Sequence, residues 1–282
     1  MKAASEIFNS PLTPGIKLHM LKWGPPETEP VILLHGGGAN AHWWDHLAPR
    51  WADDNRLIAL DFRGHGDSDS PDTLQVGAFN LDLEALCDRL GESQVTLIGH
   101  SMGAHVALDH ASRSERVRGL ALVDPARGGP KRSRRAARLA LALRRNYPSE
   151  KEAIERFRFV PSAEHCDEAL RRSIAIQSVR AETGGRFGFK FDPRWFGVPG
   201  RPPPDCSAVR CPTLVIRGEE SSILSAEGAQ ELCTELPESH LETVPGAGHH
   251  VLLDQPDAFS AIVKGWLDGL PRPSGKTDSP LG

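Results

Sequence analysis

The chain reads as an α/β protein: a mostly parallel central sheet with helices on both faces and a helical segment inserted between two strands. Three observations predict it. Short runs that are apolar throughout (Val31-Ile32-Leu33-Leu34, Leu57–Leu60, Val95–Ile98, residues 117–123) alternate with stretches of helical spacing. A strand covered on both faces has no polar side to show, and helical crossovers between such strands make them parallel. The loops that follow several of these runs, residues 35–40, 61–68, 99–103 and 245–250, carry most of the chain's polar turn chemistry. In a parallel sheet they converge on the carboxyl edge, where sites form. Finally, residues 127–206 separate two strands by far more than an ordinary crossover needs.

In chain order, residues 5–9 and 16–22 predict two strands split by the Pro11–Gly15 turn, and Pro25, Pro26 and Pro30 end that region. Residues 31–34 are the first central strand, followed by His35-Gly36-Gly37-Gly38-Ala39-Asn40 and a helix expected over 41–51. The strand 57–60 runs into Asp61-Phe62-Arg63-Gly64-His65-Gly66-Asp67-Ser68. Leu81, Leu83, Leu86 and Leu90 predict a helix over 78–90. Strand 95–98 and a helix from Met102 follow, then strand 117–123, ending at Asp124-Pro125. Past the insertion, strand 212–217, helix 226–236, strand 240–244 and helix 257–268 complete the alternation. The expected organisation is therefore a core of residues 1–126 and 207–270, a lid or cap of residues 127–206, and a flexible tail over 271–282.

Composition bounds the function. A net charge of −4 gives no global reason to expect nucleic acid or an anionic membrane as partner. The mild total conceals a contrast: Lys and Arg outnumber Asp and Glu within 127–206, and the rest of the chain is acidic. Lys131, Arg132, Arg134, Arg135 and Arg138 crowd one stretch, so a substrate carrying an anionic group is one expectation; an ordinary solvated face is the plainer reading. No apolar run approaches the roughly 20 residues that span a bilayer, and no basic-then-apolar leader is visible. Five scattered cysteines, Cys87, Cys166, Cys206, Cys211 and Cys233, form no C-x-x-C pair and predict a cytoplasmic protein with free thiols. No zinc-type His/Cys spacing occurs, so neither metal nor cofactor is expected, and the oligomeric state is open.

The chemistry concentrates at Gly99-His100-Ser101-Met102-Gly103, a G-x-S-x-G between an apolar strand and a helix. Glycines two before and two after the serine permit a tight turn that exposes the Ser101 hydroxyl at the sheet edge and aims the first helical amides at whatever it attacks. With His35-Gly36-Gly37-Gly38, Asp61-x-Arg63-Gly64-x-Gly66-x-Ser68 and Gly246-x-Gly248-His249, in that order over roughly residues 16 to 268, the sequence resembles the α/β-hydrolase superfamily. The resemblance implies an α/β-hydrolase fold and a serine hydrolase of carboxylesterase type acting on a small molecule. It leaves open a C–C bond hydrolase or thioesterase with the same apparatus, or a small-molecule-binding relative with weakened catalysis.

Ser101 is then the nucleophile and needs a base; His249, behind a Gly-x-Gly hinge, is preferred over its neighbour His250. The amides of Gly37 and Met102 are nominated as the oxyanion hole. Asp61, Arg63, His65 and Ser68 are read as holding their own loop, and His100, His105 and His110 as structural. The acid departs from the family pattern: the loop after strand 212–217 reads Arg217-Gly218-Glu219-Glu220-Ser221-Ser222, with no Asp. Asp124, one strand earlier, is preferred, as some relatives place their acid there; Glu219 and Glu220 are the alternatives. Trp43, Trp44, Trp195 and Phe196 are candidates to line an apolar pocket. The absence of Asp at position 101 argues against dehalogenase or epoxide-hydrolase chemistry.

Overall fold

The structure is a computed structural model that describes residues 1–129, 139, 146–197 and 201–271. Eight strands form one sheet in the order β1-β2-β4-β3-β5-β6-β9-β10. They are β1 (Ala4–Asn9), β2 (Lys17–Trp23), β3 (Pro30–Leu34), β4 (Arg56–Leu60), β5 (Val95–His100), β6 (Val117–Val123), β9 (Thr213–Gly218) and β10 (Ser239–Val244). The pairs β1–β2 and β2–β4 are antiparallel, and every pair from β4 to β10 is parallel. β3 and β5 are buried at every position, as their uninterrupted apolar runs require.

Alternate residues of each strand feed two cores. Leu33, Ile98, Ala121 and Ile216 face one, with Trp44, Trp51 and Phe259. Leu34, Leu97, Leu122 and Val215 face the other, with Leu83 and Leu86 of α1 (Ala78–Leu90) and Ala104 and Ala107 of α2 (Met102–Ala111). The period of two along a strand makes this division automatic, and each face buries its own layer.

The helix expected over 41–51 is two separate 3₁₀ turns, Ala41–Trp44 and Ala48–Arg50. Pro49 has no N–H to offer the carbonyl of Asp45, so an α-helical ladder cannot run through it. Asn40 stops the segment from the other side, its side chain accepting from the amide of His42 at 3.0 Å.

Between β6 and β9 lie elements that periodicity did not reveal: α3 (Glu150–Arg156), α4 (Glu168–Gln177) and the hairpin β7 (Val179–Glu182) with β8 (Arg186–Phe189). Ser149 and Asp167 cap the two helices through their side chains. Phe157, Phe159, Ile174 and Val179 pack into the same core as Trp43 and Trp44. The arginine-rich stretch with Lys131, Arg132, Arg134, Arg135 and Arg138 lies outside the described residues, as does the tail beyond Pro271. After β9 come α5 (Ala226–Glu235), β10, α6 (Val251–Asp254) and α7 (Pro256–Gly269).

Candidate active site

The strand β5 turns into α2 at Ser101, which sits at φ 53°, ψ −112°. The turn closes only because two neighbours lack side chains. A Cβ on Gly99 would lie 2.4 Å from the carbonyl oxygen of Gly103, and one on Gly103 2.4 Å from that of Leu34. Among the described residues only two non-glycines have positive φ, Ser101 and Asp124 (φ 48°). Such conformations cost of order 1–3 kcal/mol each and persist where surrounding structure dictates them.

Those two strained residues are joined by His249. Its Nδ1–H donates to Asp124 Oδ2 at 2.7 Å, and its Nε2 accepts from Ser101 Oγ at 2.9 Å. Asp124 and His249 are buried. Asp124 follows β6, where its amide donates to the carbonyl of Ile216 on β9 at 2.8 Å. Its carboxylate is further held by the loop after β9: Oδ1 accepts from the amide of Gly218 at 3.1 Å, and Oδ2 from Ser221 Oγ at 2.6 Å. The Ser221 hydroxyl also accepts from the amides of Ile223 and Leu224 at 3.1 and 3.2 Å. Glu219 and Glu220 do not reach the imidazole. Both are exposed, and the Glu220 carboxylate lies 3.3 Å from His165 Nε2. The loop of His249 is pinned by Asp254, which accepts from the amide of Gly248 at 3.0 Å, and by Gln255, which donates to the carbonyl of Gly246 at 3.0 Å.

Ser221, the Gly218 amide and Asp254 were not singled out in the sequence. Only Ser221 left a signal, as a hydroxyl in the loop where an acid was missing.

Met102 begins α2 immediately after Ser101, and Gly37 lies in the loop after β3. Among the described residues neither amide has a protein acceptor. The Phe196 ring lies against Gly37, its Cε1 2.9 Å from where a Cβ would stand. A cavity of about 860 Å³ adjoins Ser101. Phe79, Met102, Val106, Trp195 and Phe196 form apolar parts of its wall. At its polar side Arg201 pairs with Asp109 at 2.9 Å, and Arg127 with Glu235.

Trp43 and Trp44 do not line this cavity. Trp44 is fully buried in the core, and Trp43 packs edge-on to Phe159 and His250 at 5.2 and 5.4 Å between ring centres. The 3₁₀ turn carries both rings inward, behind the site rather than into it.

The remaining loop residues serve the scaffold. Asp61 is buried and accepts from the amides of Ala41 and Asp67 and from His19 Nδ1, at 2.6, 2.9 and 2.7 Å. Arg63 is clamped by Asp82, with Nε 2.7 Å from Oδ1. His65 and Ser68 bond the carbonyls of Arg63 and Asp61, and His105 Nε2 accepts from the amide of Ala126 at 3.1 Å. Burial pushes His65 down to about 3, and His100 and His250 well below the ordinary histidine range, the charge of His249 adding to the effect on the last two.

Comparison with known proteins identifies the family. The family model described as "Alpha/beta hydrolase family" matches residues 31–262. A "Putative 2-succinyl-6-hydroxy-2,4-cyclohexadiene-1-carboxylate synthase" of Bacillus subtilis is 30% identical, the match covering 93% of this chain and 98% of that protein. An esterase of Mycobacterium tuberculosis is 30% identical, over 88% of this chain and 85% of the relative. Among solved structures, an alpha/beta hydrolase from Novosphingobium aromaticivorans superposes with a TM-score of 0.77 at 28% identity, covering 93% of this chain and 97% of that one. The chain belongs to the alpha/beta hydrolase family.

Proposed function

We propose that the protein is a serine hydrolase that cleaves an ester-like bond of a small molecule through an acyl-enzyme. The observation that carries this reading is the unbroken line from Asp124 to His249 to Ser101, at 2.7 and 2.9 Å, beside a cavity large enough for a substrate. Ser101 Oγ attacks the carbonyl carbon while His249 Nε2 takes its proton. Asp124 holds the imidazole in the tautomer with Nδ1 protonated and stabilises the cation that forms. The amides of Gly37 and Met102 receive the developing oxyanion, which costs no reorganisation because the backbone already holds them in place. His249 then protonates the leaving alcohol. Water enters and its oxygen attacks the acyl carbon as His249 takes a proton from it; the bond to Ser101 Oγ then breaks, His249 returns that proton to Oγ, and the acid product leaves.

The arginines on the cavity wall are paired with acids, so the described wall favours an apolar acyl group next to Ser101 over an anionic one. We read residues 127–206 as a lid, supported by Trp195 and Phe196, which reach the cavity from that segment. The five cysteines are free thiols, which supports a cytoplasmic location.

The test is chemical. Wild-type protein should be labelled once by a fluorophosphonate and should hydrolyse p-nitrophenyl acetate. Ser101→Ala should lose both while keeping its thermal midpoint, with turnover falling about 10⁶-fold. Asp124→Asn should cost about 10⁴-fold, and Glu219→Gln and Glu220→Gln should be silent. Labelling of Ser101→Ala at the wild-type rate would refute the assignment.

A further inference from the structure

We propose that His100, His249 and His250 form a site for a divalent transition-metal ion, zinc above all, whose binding switches the hydrolase off. One ring nitrogen from each of the three lies within 4.8 Å of those of the other two. Their side chains are nearly sealed from solvent, the residues being 1%, 5% and 3% exposed.

The hydrogen bonds decide which nitrogens are available. A histidine that ligates a metal ordinarily donates its other ring N–H to a carboxylate or a backbone carbonyl, which fixes the ring and its tautomer. All three do so here. His249 Nδ1 donates to Asp124 Oδ2 at 2.7 Å, His100 Nε2 to the carbonyl of His249 at 3.2 Å, and His250 Nε2 to the carbonyl of Pro161 at 2.8 Å. The lone pairs left over are those of His100 Nδ1, His250 Nδ1 and His249 Nε2. The first two are buried and have no hydrogen-bond partner. The third faces Ser101 Oγ. Among the described residues eight buried side-chain polar atoms lack a hydrogen-bond partner, and those of His100 and His250 flank the same imidazole, their rings 4.9 Å from that of His249.

Three imidazoles suit zinc, cobalt, nickel or copper and not magnesium or calcium, which take oxygen. The fourth position falls to Ser101 Oγ or to water from the cavity. Ligands at 2.0–2.1 Å in a tetrahedron stand roughly 3.4 Å apart, so the three rings draw together on binding. The other grouping of possible ligands, His19, Asp61 and Asp67, is unlike this one. It holds one imidazole instead of three, and one of its two carboxylates, Asp67, is exposed.

The regulatory consequence rests on the proposed function. A metal on His249 Nε2 occupies the lone pair that would take the proton of Ser101, while Asp124 becomes the carboxylate behind a metal-bound histidine. No bond is made to substrate, so inhibition is reversible.

The experiment uses the full chain, stripped with EDTA. Cobalt(II) should bind with one-to-one stoichiometry and the intense visible absorption of a tetrahedral site, and zinc should displace it. Ser101→Ala, which has no hydrolysis to inhibit, should still bind cobalt. His250→Gln should weaken binding at least about tenfold, with His100→Gln as the second ligand deletion should the first fail to fold. In the wild type, zinc should suppress p-nitrophenyl acetate hydrolysis and EDTA should restore it. The site is refuted by an absence of stoichiometric binding, or by binding of wild-type strength in both ligand variants. Binding without loss of hydrolysis refutes the switch. Cobalt binding by a chain that cleaves no ester refutes the hydrolase reading and leaves the metal site standing.

Discussion

Replacing Ser221 with alanine tests how the acid is held. Its hydroxyl is one of three groups on the Asp124 carboxylate, at 2.6 Å, beside the Gly218 amide at 3.1 Å and the His249 imidazole at 2.7 Å. A hydrogen bond to a charged acceptor contributes about 1.5–3 kcal/mol. The two remaining donors keep the carboxylate in place in part, so only a fraction of that reaches the transition state. We expect kcat to fall about tenfold, which is about 1.4 kcal/mol, against about 10⁴-fold for Asp124→Asn. KM should stay constant, because Ser221 is not part of the cavity wall. The amides of Ile223 and Leu224 lose their acceptor as well, so the variant should also be less stable by about 1–3 kcal/mol. Ser221→Thr keeps the hydroxyl and should recover most of kcat. The assay is p-nitrophenyl acetate hydrolysis with urea unfolding in parallel. If Ser221→Ala unfolds more readily yet turns over at the wild-type rate, the hydroxyl serves the loop alone and the positioning argument is refuted.

Acid should weaken the fold early. Burial lowers the folded pKa of His35, His65, His100 and His250 below the unfolded value of 6.5, so each takes up a proton on unfolding. Their neutral burial is harmless above pH 6.5, and stability falls as pH drops below it, for His65 down to about 3. Each fully shifted histidine contributes a slope of about 1.4 kcal/mol per pH unit. Urea unfolding at pH 7.5, 6.0 and 5.0 reads this directly, and equal stability at all three would contradict the burial. Phe196→Ala removes a ring from the cavity wall beside Gly37 and should lower kcat/KM for an aromatic acyl ester about tenfold or more, given about 1.5–3 kcal/mol for burying such a group. Its rate with p-nitrophenyl acetate should change less; an equal loss on both esters would mean that the ring supports the backbone rather than the substrate.

The parts of the fold that were legible share one property: their signal is local. The buried strands show as unbroken apolar runs, and the turn at Ser101 shows because Gly99 and Gly103 are required by contacts within a few residues or with the adjacent strand. What was not legible depended on distant partners. Trp43 and Trp44 were candidates for the pocket because aromatic rings suit one, but the direction of a 3₁₀ turn sends them into the core. The hairpin of β7 and β8 has only four residues per strand, too few for a period to emerge, although Thr183-Gly184-Gly185 marks its turn. The three imidazoles around His249 come from positions 100, 249 and 250, a spacing that no metal motif contains.

The position of the proposed acid, Asp124, is consistent with the order of the strands. β6 and β9 are adjacent and parallel, with Val123 opposite Ile216, so the residues that follow them emerge side by side. A carboxylate from either loop can therefore face the same imidazole. Placed after β6, Asp124 takes a positive φ immediately before Pro125. The loop after β9, having no acid in reach of the imidazole, instead supplies donors to a carboxylate that would otherwise be buried with a single partner, at a cost of several kcal/mol. Gly218 and Ser221 are those donors. A serine at position 221 and no aspartate in that loop are thus two consequences of one arrangement. Moving the acid back as Ser222→Asp in an Asp124→Asn background should restore little activity, because Ser221 and Gly218 would still point at residue 124. Recovery to within tenfold of wild type would show instead that the two loops are interchangeable and that the strain at Asp124 is incidental.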